Sequence, residues 1–218
     1  MPQVFTPRSN NVARAVVFGS IPALVILLLV GIALARSSLV TGKGRPIPQP
    51  VPFSHAQHVG ALAVDCRYCH VSVEESAFAG IPPTETCMTC HSQLSTGSDA
   101  LAPVRESWEE GEPLRWRRVH DLPDFVYFHH GIHVSRGVGC VSCHGRVDQM
   151  VTIRQVRSLH MKWCVDCHRD PSSWLRPPEH VFDMAWRDPE HPSQTGRKLM
   201  ARYGIDTASL ADCSICHR

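Results

Sequence analysis

Ten cysteines and five histidines repeat one pattern: Cys66-Arg-Tyr-Cys69-His70, Cys87-Met-Thr-Cys90-His91, Cys140-Val-Ser-Cys143-His144, Cys164-Val-Asp-Cys167-His168 and Cys213-Ser-Ile-Cys216-His217. We number them sites 1 to 5. They use every cysteine of the 218-residue chain. Two cysteines three residues apart lie on one side of a helical turn, where both thiols can add to the two vinyl groups of a single haem. The histidine that follows is then held beneath the iron as its proximal ligand. With 14 histidines in the chain, a histidine after all five pairs by chance has odds of about one in a million.

Other uses of CxxC explain less. Structural zinc takes four ligands, usually from two knuckles together, and five knuckles do not pair off. Disulfides suit an even cysteine count in an oxidising compartment but give no reason for the histidines. A thioredoxin-like redox pair fits one such motif, not five. The sequence therefore predicts five haem c groups, covalently attached through Cys66, Cys69, Cys87, Cys90, Cys140, Cys143, Cys164, Cys167, Cys213 and Cys216, with His70, His91, His144, His168 and His217 as proximal ligands.

Low-spin irons need a second axial ligand. Phe53-Ser-His55-Ala-Gln-His58 recurs as Phe128-His-His130-Gly-Ile-His133. Histidines three apart share a helix face and can reach two different irons. His55, His58, His130 and His133 thus supply four distal ligands. Two candidates remain for the fifth, His120 and Met161, with His120 favoured. His129, His160, His180 and His191 lack such context and are read as ordinary histidines. The matched offsets make a tandem duplication, 53–127 and 128–201, with a truncated third copy at 202–218.

Around these sites the composition is ordinary in hydrophobicity (43%) and rich in proline (17 residues), with little sustained periodicity. Twenty-two basic against 20 acidic residues make no electrostatic case for nucleic acid. Residues 15–35 carry no charge and span about 31 Å as a helix, enough for a bilayer core of about 30 Å. The run exceeds the usual apolar region of a cleaved signal, so it is read as a retained signal anchor. Residues 1–14 are then a short cytoplasmic tail and 36–52 a Pro/Gly-rich, semi-rigid linker. Flanking charges leave the orientation open. Bacterial thioether attachment occurs outside the cytoplasmic membrane, which places 53–218 on the periplasmic side of the inner membrane, single-pass. The expected fold is mostly irregular with short α-helices: a multihaem domain packed around five haems, plus one N-terminal transmembrane helix.

The segment Arg118-Val-His-Asp-Leu-Pro-Asp-Phe-Val-Tyr-Phe128, then His130, His133, Cys140 to Gly145 and Met161-Lys-Trp-Cys-Val-Asp-Cys-His-Arg169, resembles the pentahaem cytochrome c subunit of alternative complex III. The single anchor and the terminal Cys-Ser-Ile-Cys-His-Arg218 agree with it. The resemblance implies an electron-transfer subunit of a quinol:electron acceptor oxidoreductase. Its partners would be further cytochrome c and iron–sulfur subunits, with electrons passing to a periplasmic acceptor. No catalytic site is expected on this chain. Two rivals differ in class. A self-sufficient single-anchor quinol dehydrogenase feeding a soluble reductase usually has Met two residues after a haem-binding His, whereas His70 is followed by Val-Ser. A multihaem reductase needs an open iron, and there is no CxxCK site here.

Overall fold

The computed structural model describes residues 6–188 and 192–217 and divides into two units, 1–43 and 44–218. The first is one long helix, α1 (Pro7–Arg36), followed by a single turn, α2 (Ser38–Thr41). Pro7 opens α1 where no N–H partner is needed, and Pro22 lies inside it. Its apolar side chains face outward on all sides: Phe18 is 74% exposed, Leu24 65% and Leu27 67%. It is long and apolar enough to cross a membrane, with mean hydropathy 2.7 over its most apolar stretch.

The second unit has short helices joined by irregular chain, and no strand forms among the described residues. Isolated bridges such as Val126–His217 and Val138–Leu175 stand in for sheet. Every CxxC pair lies in a helix: α3 (Cys66–Cys69), α4 (Thr84–His91), α7 (Cys140–His144), α8 (Met161–Arg169) and α10 (Cys213–Cys216). Three of these are no longer than five residues, too short to persist by propensity alone. Local bonds support them; at α3 the Asp65 carboxylate accepts from the Arg67 backbone N–H at 2.8 Å. Apolar burial is sparse. One cluster joins Val147, Met150 and Met184, backed by Cys140, Val141, Ile153 and Val156.

The two FxHxxH elements fold differently. Ala56–Ala61 is a π-helix, while α6 (His130–Ser135) is α-helical. The first copy has one more residue between this element and its CxxCH motif, and a wide π turn accommodates one extra residue. Each element packs on the opposite copy. The Ala56 N–H donates to the Met150 carbonyl (3.0 Å), and the Gly131 N–H donates to the Ser76 carbonyl (3.1 Å), at corresponding positions of the duplication. A Cβ at Gly131 would stand 2.6 Å from the Glu74 carbonyl oxygen, so only glycine permits that approach. Gly131→Ala is expected to cost about 1–3 kcal/mol through forced backbone shift. Gly97→Ala, with open space around it, should leave the thermal midpoint unchanged.

The Pro-rich stretch is extended, as its prolines dictate, but it is strapped down rather than free-standing. The Gly44 N–H donates to the Gln155 carbonyl (2.7 Å) and the Ile47 N–H to that of Ile153 (3.2 Å). Gln49 exchanges two hydrogen bonds with the Arg117 backbone. Backbone amides beside proline still need partners, and the 153–157 loop offers them.

Candidate haem-binding sites

Seven imidazoles are fixed in the same way, each donating from Nδ1 to a backbone carbonyl. Among the proximal candidates, His70 reaches Gly80 (2.7 Å), His91 reaches Leu94 (3.1 Å), His168 reaches Leu210 (2.8 Å) and His217 reaches Phe125 (3.3 Å). Among the distal candidates, His58 reaches Ser54 (2.9 Å), His130 reaches Ala77 (2.7 Å) and His133 reaches His129 (2.8 Å). A ring that donates from Nδ1 keeps the Nε2 lone pair for a metal, and the bond fixes ring orientation and raises basicity.

The distal rings are also braced by phenylalanine, identically in both copies. Phe53 stacks on His58 (4.4 Å, 24°) and meets His55 edge-on (4.9 Å, 88°). Phe128 stacks on His133 (4.5 Å, 25°) and meets His130 edge-on (4.7 Å, 89°). The spacing that suggested a duplicated motif thus has a duplicated geometry.

Two imidazoles bound end-on to one metal, each nitrogen about 2 Å from it, stand with ring centroids roughly 6 Å apart. Three pairs have that separation: His58 with His91 (6.2 Å), His130 with His144 (6.4 Å) and His133 with His168 (6.1 Å). Each joins a CxxCH histidine to an FxHxxH histidine. Among the described residues, no three His, Cys, Asp or Glu side chains gather into a cluster able to hold a bare metal ion. Ligation by two imidazoles suits an iron whose other four positions are porphyrin nitrogens. Burial pushes the Cys143 thiol up to about 12 and those of Cys140 and Cys167 to about 11. The donor set fits haem c.

The His120 and His130 rings lie against and opposite His144 at site 3, and the charges of His70 and His55 also reach His144. Burial, then the neighbouring imidazoles, hold His144 down to about 3 and His55 to about 4, leaving both neutral and able to bind metal. His120 lies edge-on to His144 at 4.3 Å, closer than an axial pair, and its buried Nε2 has no hydrogen-bond partner. It is placed beside site 3, not at site 5, where the His217 ring stacks on Phe125 (5.8 Å, 26°). Met161 starts α8 with 61% exposure. His129 caps α6, accepting from the Ile132 N–H (3.3 Å). His160 precedes α8, and His180 stacks on Trp186 (5.2 Å). His191 lies outside the described residues. The carbonyls that orient the rings, and the His120–His144 contact, had no signature in the sequence: a carbonyl acceptor is independent of side-chain type.

Helices that each present a cysteine pair, with histidines paired at axial spacing, define a multihaem c-type cytochrome arrangement. Residues 126–218, which hold sites 3 to 5 and the second FxHxxH element, match the family described as cytochrome c7 and related cytochrome c. This part of the chain is thus cytochrome c7-like. Over 170 residues, 78% of this chain and 67% of the relative, the sequence is 27% identical to the menaquinone reductase, multiheme cytochrome c subunit, of Nitratidesulfovibrio vulgaris.

Proposed function

We propose that this chain is the electron-transfer subunit of a membrane quinone oxidoreductase, carrying five covalent haems and relaying electrons between quinol-oxidising subunits and a periplasmic acceptor, as in alternative complex III. The observation that carries the reading is the set of three His–His pairs at axial spacing, each joining a CxxCH motif to an FxHxxH element. The similarity to a menaquinone reductase subunit supports the assignment to a quinone-linked complex, and helix α1 supports a membrane anchor.

Haem bound at these sites supplies reversible one-electron iron chemistry. The protein's own contribution is placement. The cysteines hold the group so that it cannot dissociate. The Nδ1–carbonyl bonds keep the axial rings in the metal-binding tautomer. Phe53 and Phe128 shield the distal histidines from water, favouring small reorganisation when charge changes. His58 serves site 2, His133 site 4 and His130 site 3, with His55 the repeat counterpart at site 1.

Purification from native membranes under mild detergent tests this. Co-purification with a large membrane subunit and an iron–sulfur subunit is expected, together with haem reduction by a quinol. Recovery of the chain alone, with no quinol-dependent reduction, would contradict the proposal.

A further inference from the structure

Contacts between neighbouring sites link them in an order that differs from the sequence. Sites 1 and 2 adjoin: the Tyr68 hydroxyl and the Thr89 Oγ1 are 2.7 Å apart. Sites 1 and 3 adjoin through the loop after site 1: His70 donates to the Gly80 carbonyl (2.7 Å), the His130 Nδ1 to the Ala77 carbonyl (2.7 Å) and the Gly131 N–H to the Ser76 carbonyl (3.1 Å), while the His130 ring stands 6.4 Å from His144. Sites 3 and 4 adjoin across α6, whose His130 stands 6.4 Å from His144 and whose His133 stands 6.1 Å from His168. Sites 4 and 5 adjoin through the bond from His168 to the carbonyl of Leu210 (2.8 Å), three residues before Cys213. The reciprocal packing of the two copies accounts for this. Each FxHxxH element leans on the loop after the opposite copy's first site, which draws sites 1 and 3 together. Sites 2 and 4 are then pushed to opposite flanks.

We infer that the sites form one line in the order 2–1–3–4–5, the two copies of the duplication joined head to head, with electrons entering and leaving at sites 2 and 5. Exposure follows the same order. Cys90 and Cys213, in the two end sites, are exposed, while every cysteine of sites 1, 3 and 4 is partly buried and Ser142 within site 3 is buried. The partners that fit the two ends are one-electron redox proteins, docking over α4 and over α10. This inference rests on the five-haem reading above.

Removing one site at a time distinguishes this line from the sequential order. Neighbouring low-spin ferric haems broaden and relax one another's electron paramagnetic resonance signals, whereas an isolated haem gives a sharp, slowly relaxing one. In the full-length protein, Cys66→Ala/Cys69→Ala deletes site 1 and should leave site 2 isolated, giving one sharp signal. Cys87→Ala/Cys90→Ala deletes an end and should leave all remaining signals coupled. The sequential order 1–2–3–4–5 requires the reverse, and that result would overturn the inference. Intact mass of each variant keeps the two readings separable: four haem additions mean the five-haem reading stands whatever the coupling, and fewer mean that it fails. His58→Met in the otherwise unaltered chain serves where the double variant does not mature. It marks site 2, whose reduction should then shift the midpoint of one other haem, as for an end, whereas shifts of two contradict the order.

Discussion

His58→Ala and His133→Ala are each expected to turn one haem high-spin and open it to carbon monoxide, with the other haems unaffected. Both rings stand at axial separation from a CxxCH histidine, 6.2 Å from His91 and 6.1 Å from His168. Both are locked by an Nδ1 bond and a stacked phenylalanine. The loss of ligation should be complete rather than partial. The two variants should also match in size of effect, because both rings carry the same Nδ1 bond and stacked phenylalanine. The measurement is the optical and resonance spectrum of the oxidised protein, with carbon monoxide uptake by the reduced form. Low-spin spectra in both variants would remove the FxHxxH histidines from the iron.

Replacing residues 1–36 by a cleavable signal should release a soluble haem protein from the membrane. Helix α1 exposes apolar side chains around its whole circumference, and burial of such a surface in lipid at about 25 cal/mol per Å² far exceeds what weak peripheral contacts supply. The unit 44–218 is compact without it. The measurement is partition of haem absorbance between supernatant and membranes after centrifugation. Complete retention in the membrane fraction would make protein partners the true tether.

What the sequence made legible follows from chemistry that is local. A cysteine pair with its histidine is a complete statement within five residues, and each of the five lies in the helical turn its spacing requires. The FxHxxH elements were legible because they recur, and the Phe–His stacking repeats with them. Long-range placement was not. The offset between the copies shows one extra residue in the first, yet not that a π turn absorbs it. His120 was sought as a fifth distal ligand; that it lies against His144 depends on the cross-copy packing of α6, which a glycine at 131 permits but does not announce. The 36–52 segment read as a spacer because proline composition reports conformation, not docking; the backbone bonds of Gly44 and Ile47 to Gln155 and Ile153, and the Gln49 side-chain bonds to Arg117, come from long-range placement.

The central claim is that all five cysteine pairs hold haem. Intact mass of the protein purified from its native membrane, after acid–acetone extraction, tests it most directly. The account predicts that no haem is extracted and that the polypeptide carries the mass of five haem groups. Release of haem into the acetone, or a mature chain with fewer than five additions, would contradict it.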